Sequence, residues 1–324
     1  MQRFRYRETD TAPAATLPPC AAPRPADQHP VPFPDRSDMG HLLSVATSSP
    51  FLRPPLVGAY IYATMARNRA GMGIDDMKLG IIGVGHLSVS ILRGLLRAGH
   101  APESILLSPR GHGADMARDH GFALAKDNAQ IVGACDIVLL AVRPGDAPGA
   151  VRGLPWRAGQ TMLSACAGVP LAALDIGAAT PVRIMPITAA SLGASPTLAY
   201  PDAGPARTLL EAIGTVIILR SEAEFEAATV SAAMYGWAQA LIRSGADWTA
   251  AHGMDATQAR QLVASTFTAA GRMIAEEDAP MDDILATLCT PGGITRAGLD
   301  HLEAKGAPAA WNGACDLVLR KLQG

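Results

Sequence analysis

The feature that most constrains this chain is a short apolar run that stops at two closely spaced glycines. Residues 79–82 are typical of a buried strand, the chain turns at Gly83 and Gly85, and apolar side chains then recur at helical spacing. A strand, a glycine turn and a helix in this order provide the context of a dinucleotide fingerprint. Gly83 permits the tight turn and Gly85 lets the backbone approach a pyrophosphate. The free amides at the start of the helix, at His86 and Leu87, would bind that anion.

The residues after the glycines indicate which dinucleotide fits. The third fingerprint position is Ser88, which is small enough for close packing of helix on strand. A second strand is predicted over residues 104–108 and ends where the fingerprint expects the residue that contacts the ribose, about 20 residues on. That position holds no carboxylate, whereas Arg110 can bind a 2′-phosphate, so NADP is favoured over NAD with Ser108 and Arg110 as contacts. An ordinary solvated turn residue is the alternative interpretation of Arg110.

Composition limits the classes of protein that need to be considered. With 324 residues, 49% hydrophobic and 17% charged, the chain can build a sizeable core and two domains. A formal net charge of −2 gives no basic footprint for nucleic acid. The five cysteines are scattered and lack Cys-x-x-Cys spacing, which indicates a reducing compartment and predicts a cytoplasmic protein. The eight histidines lack ligand spacing, so no metal is expected.

Residues 1–75 differ in kind from the rest of the chain. Eight prolines lie between Pro13 and Pro34 in polar sequence without periodicity, which predicts a disordered extension. Its apolar piece, residues 56–65, is too short to cross a bilayer and lies too far inside the chain for an ordinary signal peptide. No membrane partner is therefore expected, and a targeting peptide is the alternative. Met72 or Met77 would each begin a self-sufficient fold.

From residue 76 onward strands and helices alternate. Further strands are predicted over residues 136–142, 161–165, 181–186 and 215–219. The alternation implies a doubly wound, Rossmann-like parallel sheet over residues 76–220, joined by right-handed crossovers. Cofactors lie along the carboxyl edge of such a sheet. Candidate cofactor contacts at the ends of these strands are Ala141, Val142, Pro144, Ala167 and Met185.

After Arg220 the strands stop and helices are predicted to the end of the chain. They cover residues 222–251, 255–277, 281–288, 295–303 and 307–322. Residues 227–242 are apolar on more than one side, and such a helix must be buried. Because residues 221–324 are too few to bury it alone, we expect a homodimer or larger homo-oligomer through this all-helical C-terminal dimerisation domain.

Five motifs in a fixed order carry a family resemblance from Met77 to the C-terminus. They are Gly83-Val-Gly85-His-Leu-Ser88, Ala141-Val-Arg-Pro144, Ser164-Ala-Cys-Ala-Gly168-Val, Val182-Arg-Ile-Met-Pro186-Ile-Thr188 and Thr290-Pro-Gly-Gly293-Ile-Thr295-Arg-Ala-Gly298-Leu. In this the chain resembles the pyrroline-5-carboxylate reductases, NAD(P)H-dependent oxidoreductases of proline biosynthesis that act on a C=N bond. The resemblance implies reduction of 1-pyrroline-5-carboxylate to L-proline with NADPH.

The last motif can be interpreted from its residues alone. The glycines after Pro291 turn the chain and expose amides at a helix start, which forms a nest suited to a carboxylate. Thr295 can add a hydroxyl donor to an anion or an imine nitrogen, although capping of the helix by Thr290 or Thr295 is the alternative. By resemblance, Thr290, Gly292 and Gly293 hold the substrate carboxylate, and the catalytic candidate Thr295 lies beside the imine nitrogen.

Departures from the family pattern leave other functions open. Ile187 replaces an asparagine, Cys289 replaces a serine or threonine, and small residues at the start of the long helix are replaced by Met234 and Tyr235. Together with Trp237, these bulky residues either pack in a core or dimer contact or reshape the pocket. A reductase of a different imine or ketimine, or an NADP-binding paralogue with little activity, therefore remains an alternative.

A fourth class of protein shares the same N-terminal architecture. β-Hydroxyacid dehydrogenases resemble one another in using a lysine on the long helix after the sheet to relay the alcohol proton. This chain has no lysine between Lys126 and Lys305. The sequence therefore argues against that class.

Overall fold

The computed structural model describes residues 77–324, so the extension predicted over residues 1–75 lies outside the described residues. Within the described range, eight strands form one sheet in the order β3-β2-β1-β4-β5-β6-β7-β8. The strands are β1 Leu79–Ile82, β2 Ile105–Leu107, β3 Ala123–Leu124, β4 Ile137–Leu140, β5 Thr161–Ser164, β6 Thr180–Met185, β7 Ser195–Tyr200 and β8 Gly214–Ile218.

Helices cover both faces of this sheet and then continue alone. Those within the sheet region are α1 His86–Arg97, α2 Gly113–His120, α3 Asn128–Ala134, α4 Ala147–Val151 and α5 Arg207–Ala212. Those that follow are α6 Glu222–Thr229, α7 Ser231–Ala251, α8 Ala256–Glu276, α9 Met281–Leu288, α10 Ile294–Ala304 and α11 Ala307–Gln323. The predicted change from sheet to helices after Arg220 is observed.

The Rossmann-like organisation is confirmed by the strand order. Strand β1 lies between β2 and β4 and is parallel to both. The chain therefore extends the sheet on one side of β1 with β2 and β3, and then on the other side with β4 and the strands that follow. This reversal is the switch point at which a crevice opens beyond the carboxyl ends of the strands. The glycine turn after β1 therefore lies at the place where doubly wound sheets bind their ligands.

One pair of strands departs from the predicted parallel arrangement. β6 and β7 are antiparallel, with Met185 opposite Leu198. The chain between them forms only a short 3-10 helix, Thr188–Leu192. A parallel crossover needs a dozen or more residues, so this short connection can only reverse the strand direction. Strands β3 and β7 were not predicted.

Apolar packing covers the sheet on both faces. On one face, Leu92 and Leu95 of α1 pack over β1, and on the other Ile131 and Val132 of α3 do so. Gly80 in β1 makes the second contact possible, because a Cβ there would lie about 2.9 Å from the sulfur of Cys135 and closer still to Ile131. The continuous apolar strands identified in the sequence are therefore buried on both sides, as parallel strands are.

The single helix predicted over residues 222–251 is wrong at Val230, which separates α6 from α7. The amide of Val230 bonds to the carbonyl of Ala227, three residues back instead of four. The hydroxyl of Thr229 also bonds back to the carbonyl of Phe225 at 2.9 Å. Such side-chain bonds to the preceding turn bend helices. The regular helix is therefore interrupted at Val230.

The C-terminal helices expose a large apolar surface in a single copy of the chain. In α9, α10 and α11 no residue is buried. The exposed large side chains of α7 to α11 include Leu241, Trp248, Leu262, Phe267, Met273, Leu285, Leu288, Leu302, Trp311 and Leu317. Apolar patches of this extent on soluble proteins mark interaction surfaces. Within residues 77–324, no helix is both long enough and apolar enough to cross a bilayer.

Candidate active site

The turn after β1 requires glycine at Gly83. Its φ is +94°, in the left-handed region that side chains disfavour, and an added Cβ would lie 2.8 Å from the backbone of Ala141. The same Cβ would lie 2.8 Å from the side chain of Val142. The absence of a side chain thus lets the turn pack against the loop after β4, which brings three predicted cofactor residues together.

Two buried serines hold this turn in place. The amide of Gly83 donates to Oγ of Ser108 at 3.0 Å, and Oγ of Ser88 donates to the carbonyl of Gly83 at 2.7 Å. Both serines are almost fully buried. Ser88 therefore does more than leave room for packing, which is a role that the sequence did not reveal. Ser108 supports the turn from behind, and its predicted contact with a ribose remains a prediction.

The start of α1 has the geometry of an anion site. Gly85 is the N-cap and gives no side-chain cap, and the first turn carries no acidic residue. Among the described residues, none accepts from the amides of His86 and Leu87. A Cβ at Gly85 would meet nothing within 4 Å, so the space in front of the turn is open. Unpaired amides and the positive end of the helix dipole favour a phosphate there.

The loop after β2 closes against the same turn. The amide of His112 donates to the carbonyl of Val84 at 2.8 Å, and a Cβ at Gly111 would lie 2.5 Å from that oxygen. Arg110 is exposed in this loop and forms no ion pair with another described residue. The guanidinium predicted to bind a 2′-phosphate is therefore available and lies in a loop fixed to the glycine turn.

The loops after β4 and β5 are joined by a thiol. Cys166 donates from Sγ to the carbonyl of Val142 at 3.5 Å, and burial raises the pKa of this thiol, so it stays neutral. Ala167 follows it and is partly exposed, whereas Pro144 lies in the exposed turn after Val142. At Gly168, with φ +69°, a Cβ would lie 2.8 Å from the carbonyl of Leu322. The end of α11 therefore packs on this loop.

The end of β6 meets the long helix α7. Met185 is buried beside Leu198. The amide of Ile187 donates to Oγ of Ser195 at 3.0 Å, so the unpredicted strand β7 holds the backbone where the family pattern has asparagine. The hydroxyl of Thr188 lies 3.4 Å from that of Tyr235. Tyr235 thus reaches the edge of the sheet.

The aromatic residue two positions later has a different environment. The ring of Trp237 packs edge-to-face on that of Trp311, with centroids 5.2 Å apart. This contact supports the packing interpretation for Trp237.

The loop before α10 is uncapped. Gly293 is the N-cap without a side-chain hydrogen bond, so the capping interpretation of Thr290 and Thr295 does not hold. Gly292 has φ +75°, and the amide of Gly293 donates to the carbonyl of Thr290 at 2.9 Å. Ile294, the first residue of α10, is 93% exposed. The loop therefore presents free amides and the hydroxyl of Thr295 to its surroundings.

The substrate and cofactor candidates are not joined within one copy. Among the described residues, none of the hydrogen bonds or ion pairs links residues 281–304 to the sheet. The structure brings together the cofactor candidates of the β1, β2, β4 and β5 ends, whereas it places Thr290, Gly292, Gly293 and Thr295 on the exposed helical region.

A buried charge cluster that the sequence analysis did not identify joins the sheet to α6. Arg183 of β6 is 2% exposed and lies 3.3 Å from Glu222 and 2.6 Å from Glu226. Its guanidinium also lies over the ring of Phe225 at 4.6 Å. Glu222 further accepts from the amide of Leu171 at 2.9 Å, in the chain beyond β5. An arginine inside an apolar strand was the available signal, because such a residue must find partners.

Two family models match the chain. Residues 78–168 match the model described as NADP oxidoreductase, coenzyme F420-dependent, and residues 222–323 match pyrroline-5-carboxylate reductase dimerisation. Among curated relatives, pyrroline-5-carboxylate reductase 3 of Danio rerio is 29% identical over 75% of this chain and 89% of its own length.

Solved structures of similar proteins extend over most of the described residues. The 1-pyrroline-5-carboxylate reductase of Streptococcus pyogenes is 25% identical, with a TM-score of 0.67 over 76% of this chain and 98% of that one. The pyrroline carboxylate reductase of Plasmodium falciparum, solved with NADP bound, is 20% identical and shares the fold, with a TM-score of 0.69 over 78% of this chain and 98% of that one.

The fold, the glycine turn and these matches define an NAD(P)H-dependent oxidoreductase that carries a homo-oligomerisation region in its C-terminal helices. The class can be narrowed further because both the dimerisation model and the curated relatives name one enzyme family. The dimerisation model over residues 222–323 and the curated relatives, at 27–29% identity, support a divergent member of the pyrroline-5-carboxylate reductase family.

Proposed function

We propose that this protein reduces a cyclic imino acid with NADPH, namely 1-pyrroline-5-carboxylate to L-proline in the cytoplasm. The observation that carries the proposal is a pair of uncapped, glycine-led helix starts, α1 at Gly85 and α10 at Gly293. One suits the pyrophosphate of a dinucleotide, and the other suits the carboxylate of an imino acid. The match of residues 222–323 to the pyrroline-5-carboxylate reductase dimerisation model supports this assignment.

Residues 76–220 form the cofactor domain in this proposal. The turn at Gly83 and Gly85, with the amides of His86 and Leu87, binds the pyrophosphate, and Arg110 binds the 2′-phosphate. Ser108 fixes the turn beside the ribose. The nicotinamide half lies along the carboxyl edge of the sheet, where its contacts are Ala141, Val142, Pro144, Ala167 and Met185. The open space in front of Gly85 supports this path.

Residues 221–324 form the dimerisation and substrate domain. The turn at Gly292 and Gly293, held by the carbonyl of Thr290, presents the free amides that follow Gly293 to the substrate carboxylate. The hydroxyl of Thr295 binds at the imine nitrogen. NADPH, when bound, supplies a hydride to the carbon of the C=N bond. The chain orients the imine and stabilises its charge, since a protonated iminium is already electrophilic.

Assembly is required to complete this arrangement. In one copy no hydrogen bond or ion pair among the described residues holds the α10 loop against the sheet, and the helices around it expose apolar side chains. We therefore expect a homodimer in which burial of these helices fixes the loop against a cofactor edge. Each Å² of apolar surface that the contact buries contributes about 25 cal/mol to the free energy of assembly.

The departures favour a second candidate, the reduction of a different imine. Tyr235 reaches the hydroxyl of Thr188 at 3.4 Å, at the junction where the family pattern has small residues. A phenol at this position changes the shape of the space over the sheet edge. Substrates with a different ring size, or acyclic ketimine acids, are the compounds that such a change would select.

The test measures NADPH oxidation by the full-length protein with 1-pyrroline-5-carboxylate, a six-membered cyclic imino acid and an acyclic ketimine acid. We expect the five-membered substrate to give the highest kcat/KM. A higher value for either other compound would establish the second candidate. Binding of NADPH without turnover of any of them would contradict a reductase function.

A further inference from the structure

A cavity of about 430 Å³ lies between α1 and α2, directly beside the glycine turn. Its polar lining is mostly basic at the end nearest the turn. His86 and Arg93 line it from α1, and His112 lines it from the N-cap of α2. None of these three side chains has a role in the hydride transfer proposed above, so the cavity calls for a separate explanation.

The two histidines nearest the turn are held together by the backbone. The ring of His86 meets that of His112 edge-to-face, with centroids 5.3 Å apart. His86 is the first residue of α1, and His112 is fixed by its amide bond to the carbonyl of Val84. The loop after β2, which carries Arg110, therefore brings one imidazole to the other at the helix start.

The two acidic groups that face the cavity share one arginine. Asp115 and Asp119 of α2 lie 3.0 and 2.8 Å from the guanidinium of Arg118 on the same helix. Among the described residues, His86 and His112 have no carboxylate partner, and neither does Arg93. The far end of the cavity is lined by His120, whose ring packs on Phe122. An anion is therefore the ligand that this end of the cavity lacks.

A phosphate dianion between the two imidazoles would stabilise a positive charge on either ring. Imidazole is also the side chain that changes charge near neutral pH. A phosphate bound here would therefore take up protons as it binds.

We propose that His86 and His112 form a proton-coupled subsite for the 2′-phosphate of NADPH, so that the preference for NADPH over NADH weakens as the pH rises. The inference rests on the proposed function, because it assumes that the glycine turn binds the pyrophosphate of the same cofactor. Arg110 supplies the permanent charge of the subsite, whereas the two histidines supply the part that depends on pH.

The test is isothermal titration calorimetry of the full-length protein with NADPH and with NADH, in two buffers of different ionisation enthalpy at about pH 7. The dependence on buffer gives the number of protons taken up. We expect NADPH to take up roughly one proton more than NADH at about pH 7, and its affinity to fall roughly tenfold per pH unit between about pH 6 and about pH 8. The affinity for NADH should change less than about twofold over that range.

Variants assign the effect to the pair of histidines. The His86→Asn and His112→Asn variants should each reduce the extra proton uptake, and the double variant should abolish it. His120→Asn is the matched control, because it lines the same cavity about 12 Å further along α2 and should behave as the wild type. If the double variant does not fold, the two single variants test whether the extra proton uptake comes from the histidine pair.

Three outcomes would overturn the inference in distinguishable ways. Equal proton uptake with both cofactors would show that the histidines form no proton-coupled subsite, and it would leave the proposed reductase function intact. Loss of the extra uptake in His120→Asn would assign it to the whole cavity instead of the pair. Failure to bind either cofactor would overturn the proposed function together with this inference.

Discussion

The amide of Gly83 donates to Oγ of Ser108 at 3.0 Å, so the ends of the first two strands are tied at the point where the chain turns. The same glycine packs on the backbone of Ala141. One residue without a side chain therefore holds three loops of the cofactor edge together. The relationship separates the structural role of Gly83 from the binding role proposed for Gly85.

Alanine at Gly83 should lower the stability of the protein, whereas alanine at Gly85 should lower its affinity for NADPH. Gly83→Ala places a Cβ 2.8 Å from the backbone of Ala141 at a φ of +94°, so we expect a loss of about 1–3 kcal/mol in the free energy of unfolding. Gly85→Ala meets nothing within 4 Å, so stability should be unchanged while NADPH affinity falls roughly tenfold. Urea unfolding and calorimetry measure the two effects. Equal stability of both variants would contradict the packing described.

Replacement of the Thr295 hydroxyl should affect catalysis alone. Thr295 is exposed and does not cap α10, so Thr295→Ala should leave the unfolding midpoint unchanged. We expect kcat/KM to fall roughly 10- to 100-fold, because a hydrogen bond to a charged substrate is lost. Thr257→Ala is the control, since Thr257 is also the second residue of an exposed helix start. Equal kinetics for the two variants would remove Thr295 from the site.

The buried cluster around Arg183 should be sensitive to loss of one carboxylate. Glu226→Gln leaves a guanidinium that is 2% exposed without one of its two ion-pair partners, which should cost about 3 kcal/mol. Glu224→Gln on the same helix removes only an exposed pair with Arg220 and should leave the urea midpoint nearly unchanged. Similar midpoints for both variants would show that the cluster does not stabilise the junction.

A buried thiol should make the protein less stable in alkali. Burial, and then the charge of Asp136, raise the pKa of Cys135 from 9.0 to about 11. Because the folded state holds this proton more tightly than the unfolded state, its contribution is fully present below about pH 9 and is lost as the pH rises towards 11. The stability of Cys135→Ala should fall less steeply across that window. Parallel curves for the two proteins would contradict this assignment.

Charges on the C-terminal helices should disrupt assembly. Leu262 and Leu317 are 50% and 61% exposed in one copy, and the double variant Leu262→Glu/Leu317→Glu should sediment as a monomer where the wild type is oligomeric. Leu192→Glu is the control, because Leu192 is 68% exposed but lies beside the sheet. Unchanged sedimentation of the double variant would place the interface elsewhere.

Much of the fold could be predicted because its strands follow simple patterns. Continuous apolar runs predicted β1, β4, β5 and β6, and the predicted start of α9 at Met281 is confirmed. Strand β7 was missed because its buried residues include Ser195 and Thr197, which satisfy each other at 3.0 Å. Polar residues beside a proline are typical of a loop, and only the tertiary partners make them a strand.

In the site, too, features set by neighbouring residues could be predicted, whereas contacts between segments far apart in sequence could not. The glycine turn could be identified because its conformation depends on neighbouring residues. The contact between Tyr235 and Thr188, and the cluster around Arg183, join segments that are about 40 residues apart in sequence, as the separations of 47 and 39 show. No local pattern encodes such pairs, so Tyr235 was identified only as a departure from a family pattern.

The proposed reaction moves a hydride from NADPH to the carbon of a cyclic imine. The most direct test incubates the full-length protein with 1-pyrroline-5-carboxylate and NADPH deuterated at C4 of the nicotinamide, followed by mass spectrometry of the product. We expect L-proline carrying one deuterium at the former imine carbon, formed at a rate that collapses in Thr295→Ala. Proline without deuterium, or no proline while NADPH is bound, would contradict it.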